Sequence, residues 1–205
     1  MPFLVKYQNI YSMYIETSFI FIFLCGMAPI VTDNIIIRLV SMDDKPVAEL
    51  IRDTINTAYS SQNSWTREGD TIAGDRATTE MVERLILEQG KPNHLLCAFD
   101  GSIVVGTVMV QLEDMKPNEA EIRMVAVHPS YQSCGMGRRL VDASTEFIRS
   151  LGRDVMSIRV LENRTDVMQW YVRLGFVATG DRMNVLDESL LKVKGVTFLK
   201  LSRSI

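Results

Sequence analysis

The residues best suited to chemistry lie in one stretch, Glu121-Ile-Arg-Met-Val-Ala-Val-His-Pro-Ser-Tyr-Gln-Ser-Cys-Gly-Met-Gly-Arg-Arg-Leu140. An apolar run passes through a Pro-containing turn into Gln132-x-x-Gly135-x-Gly137 and then into an amphipathic segment. Glycines at 135 and 137 allow backbone to approach a ligand closely. The first turn of a helix offers free N–H groups with the positive end of the helix dipole behind them. Arg138 and Arg139 add charge at the same end. Such a loop suits an anion, and a pyrophosphate fits it. Residue 140 is Leu, so the third glycine of G-x-G-x-x-G is missing, and no Gly-Lys-Ser/Thr follows. Dinucleotide and ATP loops of the usual kinds are therefore disfavoured.

Other chemistries find less support. Cys25, Cys97 and Cys134 lie far apart, and only His94 and His128 could join them, so no metal-ligand spacing is present. A sparse, odd cysteine count suits a reducing compartment. The formal net charge of -3 provides no basic field of the kind that neutralises nucleic-acid phosphates. Small molecules or peptides are the expected partners, with no nucleic acid.

The elements that must position this loop follow from pattern. Residues 34–40 (NIIIRLV) read as a first strand. Ser41 and Asp44 resemble a capping box for a helix to Tyr59, with Val47, Leu50, Ile51, Ile55 and Ala58 on one face. Residues 60–75 are polar and read as a loop, with Trp65 and Ile72 as its large apolar residues. Thr79 caps a second helix with Met81, Val82, Leu85 and Ile86 inward. Strands are predicted over 94–99, 103–112 and 121–127, with Asp100-Gly101 as a hairpin signal. After the glycine loop come a helix over 135–151, a strand over 155–161, a helix over 165–174, and strands over 176–179 and 193–201. Helices threaded among strands predict an α/β fold, a mixed central sheet with helices on both faces.

Residues 17–32 (TSFIFIFLCGMAPIVT) are uncharged and apolar but shorter than the ~20 residues of a membrane span. Only Lys6 could serve as a basic leader, and Glu16 abuts the run. The reading is an N-terminal extension over 1–32 before a domain over 33–205. The extension could be packed or disordered, a weak membrane anchor, or leader sequence upstream of a start at Met27, which is the favoured reading. Cytoplasmic localisation is expected.

The strand, Val-x-Pro turn, Gln-x-x-Gly-x-Gly loop and helix resemble motif A of the GNAT superfamily of acetyltransferases. Asn163 followed by Trp170-Tyr171-Val-Arg-Leu-Gly175-Phe176 resembles its motif B, and the element order agrees over residues 34–203. The resemblance implies the GNAT fold and acetyl-CoA as co-substrate, without a metal. It implies that Gln132, Ser133, Cys134, Gly135, Met136, Gly137 and Arg138 cradle the pyrophosphate, and that Met124, Val125, Ala126 and Val127 face the pantetheine arm. Asn163 would orient the cofactor or the loop before its helix. Tyr171 would be the general acid for the departing thiolate, and Glu121 the general base, with a water chain as the alternative. Trp65 and Glu68, in the loop that commonly lines the acceptor site, would shield the acceptor and attract its ammonium. His128 is expected at the surface, and a covalent role for Cys134 is not expected. The expected function is direct acetyl transfer to a primary amine of a small molecule. The alternatives are a protein or histone-type acetyltransferase, or a non-catalytic acyl-CoA-binding protein. A homodimer is possible in such a family.

Overall fold

The computed structural model describes residues 34–112, 116–185 and 188–205, and these belong to one compact unit spanning Asn34–Ile205. The apolar run 17–32 and the start proposed at Met27 lie outside the described residues.

Seven strands form a single sheet in the order β1-β2-β3-β4-β5-β7-β6. Strand β1 is Ile35–Leu39, β2 Asn93–Asp100, β3 Ile103–Leu112, β4 Glu119–Val127, β5 Val155–Leu161, β6 Val177–Asn184 and β7 Thr197–Ser204. The β2–β3 hairpin turns at Gly101-Ser102, where Gly101 takes φ +58°, a left-handed value that a glycine adopts without strain. Four α-helices cover the sheet: α1 Ala48–Ser60, α2 Thr79–Leu87, α3 Met136–Ser150 and α4 Thr165–Arg173. Their buried residues form two clusters. Ile51, Ile55, Val82 and Ile86 of α1 and α2 pack with Leu95 and Cys97 of β2. Leu140 and Ile148 of α3 and Tyr171 of α4 pack with Ile122 of β4 and Ile158 of β5. Helices therefore lie on both faces of a mixed sheet, as the element order implied.

Several local expectations shift. The Ser41–Asp44 box opens a 3-10 stretch over Met42–Val47, and α geometry begins only at Ala48. Pro46 explains the delay, because it has no N–H to continue an i→i−4 ladder. Leu50 is exposed, and Thr54 takes the inward position, its hydroxyl donating to the carbonyls of Leu50 and Val104. Thr78, one residue before Thr79, caps α2 through a bond from the Met81 N–H. β6 runs further than its apolar start, because pairing rather than burial defines it: nearly all of it is exposed. β7 begins at Thr197, later than the expected 193, and continues to Ser204 in register with β5.

One irregularity matters for function. β4 pairs with β5 in parallel only from Glu119↔Val155 to Ile122↔Ile158. On its other side, Thr107 opposes Ala126 and Met109 opposes Arg123, so Met124 and Val125 together face Val108. That is a β-bulge, and Met124 takes φ 50° within it. Beyond Ile122 the two parallel strands part, and a cleft opens between them.

Candidate active site

Two cavities meet in this cleft. The first, of about 460 Å³, is lined by Tyr59, Glu68, Arg76, Glu121, Arg123 and Arg159, among others. The second, of about 340 Å³, runs past Gln132, Ser133, Gly135, Met136, Gly137 and Arg138. Thr66, Val125, Val167 and Tyr171 line both.

The second cavity is built by backbone. Gly135 is the N-cap of α3 with φ 85°, makes no side-chain cap, and follows Ser133 at φ 63°. With no carbonyl one turn earlier, the first N–H groups of α3 remain available to a ligand. Gly137 keeps the floor low, since a Cβ there would sit 3.4 Å from the Trp170 ring. Arg138 and Arg173 bring positive charge to the same rim. The cradle fits a pyrophosphate on geometry and on sign of charge.

Not every residue expected at the cofactor lies there. Cys134 is absent from the cavity wall, and its Sγ–H donates to the carbonyl of Tyr131 (2.9 Å). Ala126 is fully buried and packs with the α1–α2 cluster, because the bulge reverses the alternation of β4. Met124 lines the first cavity instead. Asn163 lines neither, and its amide donates to Thr71 Oγ1 (2.8 Å), fixing the loop. His128 is half-buried in the turn after β4, outside both cavities.

Gln132 turns its side chain away from a simple cradling role. Oε1 accepts from the Trp65 N–H (2.8 Å), and Nε2 donates to Ser64 Oγ and to the Val127 carbonyl (2.8 Å each). Arg164 holds the same loop, donating to the carbonyls of Trp65 (2.7 Å) and Arg67. Lys192 reaches Gly69 O at 2.6 Å. The polar loop between α1 and α2 is thus pinned across the cleft. Trp65, expected beside the acceptor, instead lines the second cavity, with its ring edge-on to Trp170 at 5.4 Å.

Glu121 and Glu68 share the first cavity but differ in setting. Glu121 is 1 % exposed, its Oε2 paired with Arg159 and its Oε1 lying 3.0 Å from Arg123 Nε without hydrogen-bond alignment. Glu68 keeps 18 % of its side chain exposed and pairs with Arg76, whose guanidinium lies over the Tyr59 ring. Burial pushes the Glu68 carboxyl above the usual carboxylate range, against the pull of Arg76 and Arg164. Tyr171 is buried beside Trp170 and Phe176, and burial, with Tyr59 and Glu68 nearby, pushes its phenol well up. It therefore remains protonated at neutral pH.

Sequence reading missed Arg123 and Arg159. Period-2 alternation places Arg123 on the face of Glu121, a signal available in the sequence. Arg159 joins them only because β5 pairs with β4, with Glu121 opposite Ser157. Tyr59 was likewise not identified as a wall residue.

The architecture is matched by known proteins. Residues 54–176 match the acetyltransferase (GNAT) family. The chain belongs to that family, and with it to the acyltransferases. Among solved structures it resembles YncA from Salmonella typhimurium, solved with acetyl-CoA, at 21 % identity and a TM-score of 0.61, covering 84 % of this chain and 94 % of that one. PaiA N-acetyltransferase from Thermoplasma acidophilum, in complex with coenzyme A, gives 18 % identity and a TM-score of 0.58, covering 83 % and 99 %. The ribosomal-protein-S18-alanine N-acetyltransferase from Escherichia coli gives 16 % and 0.58, covering 83 % and 94 %. No curated protein sequence matches the chain. Among the described residues no group of His, Cys, Asp and Glu is placed to hold a metal ion, and no helix is long and apolar enough to cross a membrane.

Proposed function

We propose that this protein moves an acetyl group from acetyl-CoA directly to the primary amine of a small molecule. One observation carries the reading: Tyr171 and Val125 stand on the wall common to two cavities, one built for an anion and one lined by ionisable side chains. Transfer requires the donor's thioester and the acceptor's nitrogen to meet at one point, and this wall is that point. A volume of about 460 Å³ on the acceptor side is of the size that small-molecule sites have, which supports a small acceptor.

Ser133, Gly135, Met136, Gly137 and Arg138 would hold the pyrophosphate, chiefly by the N–H groups of the first turn of α3. Beyond Ile122 the freed edge of β4 would meet the pantetheine arm, with Val125 and Val127 as its apolar wall. The bound thioester supplies an activated acetyl carbon. Backbone N–H groups of that edge would polarise its carbonyl. Tyr171 would protonate the departing sulfur. Its phenol is a weak acid here, so its proton moves as the acceptor nitrogen's surplus proton refills the oxygen.

The test uses Gly137→Glu. An acidic residue in the first turn of a helix suits the dipole, so folding is preserved, while a carboxylate occupies the pyrophosphate's place. Calorimetric titration should show acetyl-CoA binding to wild type and at least a tenfold loss in the variant. A panel of primary amines, followed by release of free CoA thiol, then seeks the acceptor. A folded wild type that binds no acetyl-CoA refutes the reading.

A further inference from the structure

Acetyl transfer needs a group that takes a proton from the acceptor's ammonium, and the first cavity offers two carboxylates. Glu121 is the poorer choice. Its charge balances two guanidiniums, Arg123 and Arg159, at 1 % exposure. Only Glu121 itself is buried, the guanidiniums being 39 % and 23 % exposed, and withdrawing its carboxylate would strip both of their shared counter-ion. Glu68 is ion-paired with one guanidinium, that of Arg76, feels Arg164 through space without an ion pair, and keeps 18 % of its side chain exposed. Its backbone is fixed by a bond from its N–H to the Tyr59 carbonyl at the end of α1 (2.9 Å). Its wall neighbours include Tyr59, Arg76 and Tyr171, the last of which also faces the donor cavity.

Resting on the acetyl-transfer reading above, we propose that Glu68 is the catalytic base, and that Glu121 serves as the fixed counter-ion holding Arg123 and Arg159 in place. Glu68 takes one proton from R–NH3+ and passes it to solvent at the cavity mouth. The nitrogen lone pair forms the C–N bond, and the C–S bonding pair leaves on sulfur. Sulfur receives the Tyr171 proton, and the phenolate recovers the second proton of the nitrogen. One N–H remains in the amide, Tyr171 is restored, and one proton has been released. Burial of Glu68 supports the assignment, since a base is most effective with its pKa moved towards working pH.

The experiment compares wild type, Glu68→Gln, Arg76→Gln and Glu121→Gln, with a panel of neutral, cationic and carboxylate-bearing primary amines and thiol detection of CoA. For an amine that wild type acetylates, Glu68→Gln should lower kcat by about 100-fold or more near neutral pH, with unchanged acetyl-CoA affinity. The deficit should shrink at alkaline pH, where the amine loses its proton unaided. Arg76→Gln breaks the same ion pair but keeps the base. It should retain most of kcat and move the acidic limb of the pH–rate profile upward, a shift that a merely structural contact would not produce. Glu68→Gln with kcat within threefold of wild type, or Arg76→Gln falling as far with no shift of the limb, overturns the assignment. A wild type that releases no CoA with any amine overturns the acetyl-transfer reading, and this proposal with it.

Discussion

Gln132→Ala should loosen the loop over residues 61–75 without unfolding the protein. The side chain makes three hydrogen bonds, to Trp65 N, Ser64 Oγ and Val127 O, all at 2.8 Å. A hydrogen bond contributes about 1 kcal/mol net, and the bond to Trp65, being exposed, contributes less. Only the bonds to Trp65 and Ser64 reach the loop, so their loss should cost it about 1.5 kcal/mol of local stability. That corresponds to about a 10-fold rise in its opening equilibrium. Arg164 and Lys192 still tether it, so the opening stays local. Hydrogen exchange with mass spectrometry reads the effect directly. Peptides spanning 61–75 should exchange about 10-fold faster, while those of β3 keep their protection. Exchange over 61–75 within twofold of wild type would refute the idea that Gln132 clasps this loop to the α3 turn.

Three other outcomes follow from the same geometry. Tyr171→Phe keeps the packing on Trp170 and Phe176, so thermal stability should hold while kcat falls by about 100-fold, with acetyl-CoA affinity unchanged by titration. Gly106→Ala places a Cβ 2.9 Å from Leu140 Cδ1 and 3.1 Å from the Ala126 carbonyl, and should cost about 1–3 kcal/mol in urea unfolding. Asp44→Asn weakens two 2.7 Å bonds from Arg38 and one from Ser41 N. With Arg38 44 % exposed and screened, the cost should be about 1–2 kcal/mol at pH 7. The Arg38 hydrogen bond holds Asp44 below the usual carboxylate range, so its stabilisation is complete above about pH 4 and lost as pH falls through the lowered value. The gap between wild type and variant in urea titrations should therefore narrow on the acid side.

Much of this was legible from pattern. The order of elements and the strand–glycine-loop–helix unit follow from periodicity and turn residues, which are local properties, whereas the role expected of Tyr171 came from the resemblance of its motif. Strand β5 was bounded correctly at Val155 and Leu161 because both ends carry unambiguous breaks. What escaped was non-local. That β7 inserts between β5 and β6 depends on pairing, which no period encodes. The bulge at Met124 lies inside an unbroken apolar run, so nothing in EIRMVAV announces that Ala126 turns to the opposite face. Gln132 and Trp65 were assigned to different ligands, yet they bond to each other across 67 residues of chain. Gln132 brings a side-chain amide and Trp65 a backbone N–H, groups that many neighbours could satisfy, and only the fold selects the partner.

The bulge also explains why the site lies where it does. A non-glycine residue at φ 50° costs about 1–2 kcal/mol, and Met124 is neither Gly nor Asn. The surroundings offset that cost: Thr107 Oγ1 donates to the Met124 carbonyl at 2.9 Å, and the Tyr59 hydroxyl reaches the Val125 carbonyl at 3.4 Å. Both bonds come from elements that wall the site, β3 and α1. A regular β4 would continue its ladder with β5, close the cleft and bury the edge proposed for the thioester. The extra residue turns β4 away after Ile122, and the two cavities meet at Tyr171 because of that turn. The strain at Met124 and the meeting of the two cavities are thus two consequences of one inserted residue.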